Sequence, residues 1–486
     1  MKSKLRAAAR GFAVHPKVGD PTEGRTGATL VEVVGDLKAA VVLFEDGDVR
    51  LALVTLPGET EIEEMRMAVE ASARDLLGLR AEEIVTVSSH NHCVPIFVED
   101  GTSAWRRLRG APCRGRLNPL GRAFIGELRR AMDGLRESLV PVTVEWGRSK
   151  EERVTYNRRG RRPDGAAYFI REEDRLQLGD GYIGEIDPDA TVVLLRGPAG
   201  EPVAAMAHFT GHPVSAYNPE RPIAFGEWPQ VACEALSAGL GGAPVAFLQG
   251  CAGDINSKYM LSGTVAQSRE LGGYLGESFL RAANSLRRSE RRDLKYRREP
   301  VDIPLAPLPS EESLRRDLAE IDDFIGRARA GDPETLFCVG LNFPLAISPL
   351  YRARLVEMVR PWYTWALAVR REDRLEEAPK ALSVEIVVAR FGDVGFAGMP
   401  FETYVRTGLK IKREAPLPCL LPCGYTLTEN GYVPDASACD DREYMSSFYR
   451  YTPDRPPFRP PAGDAMAEAA VRVLQEFDGE PLRGMA

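Results

Sequence analysis

VTVSSHNHCVP, residues 85–95, carries a short β-branched run into a pair of histidines, His90 and His92. The whole chain of 486 residues has only five histidines. Two more, His208 and His212, lie in MAHFTGHPVSAY, residues 206–217, again directly after an apolar run; His15 stands alone. Four of five imidazoles therefore follow strand-like segments, and in open α/β sheets ligands bind beyond the carboxyl ends of strands.

Working outward from EEIVTVSSH, read as a buried strand, the pattern is layered. AAVVLFEDGDVRLALVTL, residues 39–56, reads as a hairpin turning at Glu45-Asp46-Gly47-Asp48. ETEIEEMRMAVEASARDLLG, residues 59–78, has apolar residues at helical spacing and ends on Gly78. GRAFIGELRRAMDGLRESL, residues 121–139, is a second amphipathic helix. From Thr191 the alternation resumes with TVVLLRG, PVAAMAHFTGHP, the helix EWPQVACEALSAGL and the strand APVAFLQG. The Pro-rich VDIPLAPLPSEE leads into a helical insert over 311–376. Beyond it come strands in ALSVEIVVARFGDVGFAGMP, a helix from about Phe401, and a loop-rich end in which RPPFRPP is expected as extended surface chain. The expectation is an α/β fold of layered mixed sheets with flanking helices, a single domain over 1–486. No internal repeat is visible.

Composition narrows the classes. The hydrophobic share is 44% and the charged share 27%, ordinary for a globular chain. The net charge of −7 argues against nucleic acid or an anionic membrane as main partner and leaves a small-molecule substrate. Eight cysteines without repeated Cys-x-x-Cys pairs make neither a disulfide scaffold nor a structural zinc site, and CLLPC (Cys419, Cys423) with Cys439 reads as packed thiols. No apolar run is long enough for a signal peptide or a membrane span, so a reducing, cytoplasmic setting is expected. The oligomeric state is left open, a homo-oligomer included.

The chemistry concentrates in a few places. In an extended segment residues i and i+2 share a face, so His90 and His92 can approach one point. One His-x-His is short enough to be ordinary strand-end residues; the second histidine segment shifts the reading to a zinc site, which takes three or four N/O ligands. Two separated histidines and a carboxylate would complete it. Glu402 in GMPFETYVRTG equally suits a helix first turn, and Asp254 in LQGCAGDIN equally suits a turn. Arg158 and Arg159 end a strand in VTYNRRGRRPDG, and Tyr432 flanks a turn in TENGYVPDAS. No P-loop, dinucleotide fingerprint or nucleophile elbow occurs.

Taken in order, these motifs resemble the neutral/alkaline, non-lysosomal ceramidase family. SSHNHCVP is similar to its Ser/Thr-His-Thr-His-Ser-Gly-Pro, HFTGHPVS to its His-Pro-Thr-Ser segment, FLQGCAGDIN to its Gly-Asp-Val/Ile-Ser/Asn segment, GMPFET to its Pro-Gly-Glu, and ENGYVPDAS to a late Tyr-containing loop. The resemblance implies a zinc amidohydrolase with His90, His212 and Glu402 as ligands, Tyr432 as a fourth, and His92 as acid/base. It implies an arginine holding a substrate oxygen, Arg159 being preferred. Asn256 stands where the family has a serine. Phe401 and Cys93-Val94 replace small residues, and are expected to crowd the place of a lipid amide. The family's longer members carry a C-terminal β-sandwich, and none is expected within these 486 residues.

The resulting expectation is a short, divergent member that hydrolyses an amide (N-acyl) bond of a small or amphiphilic substrate. An imidazole's ordinary pKa near ~6.5 suits His92 for proton transfer. Arg159 and Asn256 would stabilise the oxyanion, and Asp254 would orient a ligand histidine. Two alternatives stand beside it: zinc-dependent cleavage of a sugar or polyol derivative, and a non-catalytic metal-stabilised binding protein.

Overall fold

A hairpin forms where the β-branched runs flank Gly47: Leu37–Asp46 pairs antiparallel with Val49–Leu56, and Gly47 takes φ +62° at the turn. The computed structural model describes residues 5–22, 28–58, 63–99, 116–182, 184–452 and 454–479. The start of the helix expected from 59, and residues 1–4 of the segment read for a signal peptide, lie outside them. The helix itself runs Glu63–Leu77, and Gly78 ends it at φ +64°. Ile84–Ser88 then lies parallel beside Val49–Leu56, with every residue buried.

This arrangement recurs. In the first unit Arg6–Val14, Leu37–Asp46 and Val49–Leu56 run antiparallel, helix Glu63–Leu77 crosses to the parallel strand Ile84–Ser88, and helix Pro119–Met132 packs back on Arg6–Val14. The second unit repeats it with Thr143–Lys150, Asp189–Arg196, Pro202–Phe209, helix Glu227–Gly239, strand Val245–Gln249 and helix Val265–Ala283. The third repeats it with Leu294–Pro304, Ala381–Phe391, Val394–Gly398, helix Val405–Glu414, strand Cys419–Cys423 and helix Asp464–Gly479. The sequence carries no visible repeat; the topology is nonetheless threefold.

The packing explains the apolar runs. Ala40, Val42 and Phe44 of the first unit meet Val193 and Leu195 of the second and Val387, Ala389 and Phe391 of the third in one central core. The intervening Val41 and Leu43 face the first unit's own helices. Strands buried on both faces are continuous hydrophobic stretches rather than alternating ones. Local signals place the helices: Asn118 caps Pro119–Met132 by accepting from the Gly121 amide at 2.8 Å, and Thr264 and Gln267 form a capping box.

Between the first two strands of the third unit lies the helical excursion expected over 311–376, comprising Glu311–Arg329, Pro349–Glu357 and Arg360–Arg371. It has a core of its own with Phe324, Trp362 and Tyr363, shared with Phe448 and Tyr451 of the late loops. Two local expectations are corrected. Glu402 opens no helix: Glu402–Thr403 is a short strand parallel to Tyr432–Val433, and the helix begins at Val405. RPPFRPP is not all surface, because Phe458 is buried and bridges to Leu305. The seven described cysteines are free, as packed thiols would be.

An ion cluster ties the second unit to the third. Asp189 accepts from Lys150 at 2.6 Å and from Lys412 at 3.0 Å, and Lys412 also reaches Asp187 at 2.7 Å. Burial acts to raise the Asp189 carboxyl, but the Lys412, Lys150 and Arg148 cations prevail and bring it down to about 2.

Candidate metal centre

Each unit delivers a side chain to one point from the carboxyl end of its parallel strand pair. His90 and His92 follow Ile84–Ser88, His212 follows Pro202–Phe209, and Glu402 follows Val394–Gly398. His90 is not in extended chain; it takes φ +59°, its amide donating to the Ser88 hydroxyl at 3.2 Å. That turn, rather than strand alternation, brings the two rings together edge to face at 4.8 Å. Asn91 between them points away: its amide donates to the Phe225 carbonyl at 2.7 Å and accepts from the Cys93 amide at 2.8 Å. A left-handed residue held this way is a local cost accepted at a functional position.

Ring nitrogens of His90, His92 and His212 all lie within 4.8 Å of one another, a grouping that could hold a metal ion. Glu402 Oε2 sits between two of them, 3.1 Å from His90 Nε2 and 2.9 Å from His212 Nε2. The tautomer of His212 follows from its partners. Nδ1 faces the carbonyls of Ala252 at 2.7 Å and Ile255 at 3.1 Å, so it carries the proton. Nε2 faces Arg158 Nη2 at 3.2 Å; guanidinium only donates, so Nε2 presents its lone pair. A lone pair and a carboxylate oxygen at 2.9 Å repel unless a cation joins them. Burial, together with Arg158 and His90, pushes the His212 imidazole down to about 3, so a proton is a poor candidate. Burial would raise Glu402, but the two histidines hold it well below the usual carboxylate range.

The donor set fits zinc. Ligand atoms ~2.0–2.1 Å from a tetrahedral ion stand about 3.3 Å apart. Three of the donor pairs here stand 2.9 Å (His212–Glu402), 3.1 Å (His90–Glu402) and 3.4 Å (Tyr432 Oη–His212 Nε2) apart. The His212 Nδ1–H is held by backbone carbonyls, the outer support typical of a ligating imidazole.

Arg158 and Arg159 have different surroundings from those expected. Arg158 is buried at the centre, donating to Tyr432 Oη and to Asn256 Oδ1, both at 2.9 Å, as well as facing His212. Arg159 turns the other way to Asp441 at 2.8 Å, Asp435 at 3.5 Å and Asp254 at 3.9 Å. Adjacent residues in extended chain face opposite sides, which is why one is in the site and the other is not. Asp254 touches no histidine: it accepts from the Val405 amide at 2.7 Å and Asn157 at 3.3 Å. Burial pushes its carboxyl up to about 6 against the pull of Arg159. Backbone carbonyls, not Asp254, orient His212. Asn256 is fully buried behind Arg158 and is not on the cavity wall. His208 is outside the cluster, bonded to the Pro422 carbonyl at 3.0 Å.

The cluster opens into a cavity with about 140 Å³ of room for solvent, walled by His92, Arg158, His212, Glu402 and Tyr432 at one end. Elsewhere the wall is largely apolar and includes Phe343, Ile347, Tyr351 and Leu355 of the helical excursion. Phe401 and Cys93 are not on it: Phe401 packs against Phe458 at 6.3 Å and Cys93 is buried beside Glu227. The expected crowding there does not occur. Sequence reasoning missed Tyr217, packed on His92 at 5.0 Å, Tyr425, stacked on His90 at 4.2 Å, and the wall residues Glu429 and Tyr444. Only Glu429 and Tyr444 had a signal, being in or near the late Tyr-containing loop.

No family model and no curated protein sequence matches the chain. Solved structures do match along its full length, among them a ceramidase complexed with C2, 15% identical with a TM-score of 0.65, and neutral ceramidase from Pseudomonas aeruginosa, 16% identical with a TM-score of 0.64. The chain covers 77% and 76% of those two. It therefore has the fold of the neutral ceramidases, a mixed α/β architecture of several sheets with flanking helices. No helix among the described residues is long and apolar enough to cross a membrane.

Proposed function

We propose that the protein is a zinc-dependent hydrolase that cleaves an amide (N-acyl) bond of a small or amphiphilic substrate. The observation that carries it is the His212 Nε2 lone pair facing Glu402 Oε2 at 2.9 Å, beside His90 and His92, on the wall of an apolar cavity. The likeness to solved ceramidases supports amide hydrolysis as the reaction class. Free, mostly buried thiols support a reducing, cytoplasmic setting.

His90, His212 and Glu402, with Tyr432 in reach as a fourth donor, would hold a zinc ion, which would supply Lewis acidity and make water more acidic, toward a pKa of ~7. His92, with Nε2 3.3 Å from His90 Nε2, takes the proton of the attacking water and returns it to the leaving nitrogen. Arg158 donates to the developing oxyanion, and Asn256 and the Gly253 carbonyl keep its guanidinium aimed. Tyr432, already hydrogen-bonded to Arg158, lines the same side.

Elemental analysis of the purified protein is expected to give one zinc per chain, lost in His212→Ala. His92→Ala is expected to keep zinc yet lose about 10²–10⁴-fold in turnover of N-acyl amides. Turnover of glycosides alone would overturn the amidase reading, and full zinc content in His212→Ala would overturn the site.

A further inference from the structure

The cavity has a deep end and a mouth, and the two halves of an amide substrate belong at different ends. Arg158 stands over Phe169 at 5.2 Å and over Tyr432 at 5.4 Å. Tyr432 packs on Phe448 at 4.9 Å, and Phe448 stacks on Tyr451 at 4.9 Å. Phe169, Phe343, Phe448 and Tyr451 are all buried, so the wall leading away from Arg158 is deep and aromatic. On the other side His92 packs on Tyr217, from which the chain passes to exposed Asn218 and Glu220. The mouth is therefore on the His92 side. The carbonyl oxygen must face Arg158, and the leaving nitrogen must face His92, which protonates it. That leaves the acyl substituent on the aromatic side and the amine toward solvent.

Size then limits the acyl group. The cavity offers about 140 Å³, close to the engineered cavity of ~150 Å³ that accommodates a single benzene. Phe343 is on the wall of the aromatic side, next to Asn342, whose amide donates to the Phe169 carbonyl at 2.5 Å, and is backed by Phe324 at 5.7 Å, so this side is braced by the helical excursion. We propose, resting on the amide-hydrolase reading, that the substrates are N-acyl compounds with a compact acyl group, either a short chain of up to about six carbons or one aromatic ring, and that Phe343 sets this limit.

The test is kcat/KM of the zinc-loaded protein on glycine amides bearing acetyl, hexanoyl, benzoyl, dodecanoyl and hexadecanoyl groups. The expected optimum is hexanoyl or benzoyl, with hexadecanoyl at least about tenfold lower, a difference of about 1.4 kcal/mol. A kcat/KM that keeps rising to hexadecanoyl overturns the proposal. Phe343→Ala is expected to raise dodecanoyl over hexanoyl by at least about tenfold, and Leu355→Ala, at a half-buried wall position, serves if that variant does not fold. Unchanged preference in a folded wall variant counts against Phe343 as the limit. If no glycine amide is cleaved, the hydrolase reading falls, and calorimetric binding of the free acids still decides the cavity: hexanoate and benzoate tighter than hexadecanoate upholds it, and the reverse order, or no binding, overturns it.

Discussion

Replacing Arg158 by Gln removes the N–H groups that face His212 and Tyr432 and leaves a neutral amide in a fully buried place. The expected result is a fall in kcat/KM of about 10²–10³ with zinc content retained, since a lost oxyanion donor costs roughly that much. Arg159→Gln is expected to keep kcat/KM within a few-fold but to cost about 1–3 kcal/mol in urea unfolding, because Asp254 and Asp435 lose a half-buried cation while Asp441 keeps Arg161 at 3.3 Å. Equal kinetic losses in the two variants would contradict this division. The sequence presents the two arginines as equivalents; only the strand's facing separates them, and facing depends on register with residues 255–257, which are paired across the fold. The clustered histidines were more legible, because imidazoles are so few here that clustering itself carried information. Tyr425 left no such trace: a tyrosine after a buried strand is ordinary until its ring is seen stacked on His90.

Among the elements, strands and helices were readable wherever apolar runs, caps and turn glycines agreed, as at Gly47, Gly78 and Asn118. Glu402–Thr403 was not, since a two-residue strand has no period to read and exists only because Tyr432–Val433 lies beside it. The contact between strand Asp189–Arg196 and helix Val405–Glu414 through Lys412 makes its own prediction. Asp189 is held down to about 2, below its ordinary 3.8, so its pairing stabilises the fold fully above pH ~4 and is lost as pH falls toward ~2. The contribution is on the order of 2 kcal/mol. Urea titrations at several acid pH values are expected to give a stability slope between pH ~4 and ~2 that is shallower in Asp189→Asn; identical slopes would remove Asp189 from the account.

At the scale of the molecule, three units of one topology meet at their strand ends, and this was invisible in the sequence because a sheet needs apolar residues at given positions, not the same residues. His90, His212 and Glu402 come from different units and are separated by more than a hundred residues along the chain, so no fragment smaller than the assembled trio contains the cluster. Chelation is therefore expected to lower the melting temperature of the whole cooperative transition, and added zinc to raise it with concentration. Contacts between remote segments form slowly. During refolding, high-affinity zinc uptake is expected in the last kinetic phase, after secondary structure has returned; early tight uptake would mean that one unit alone holds the ion. The metal would then act as a proofreader of assembly, held tightly only by chains in which all three units have docked.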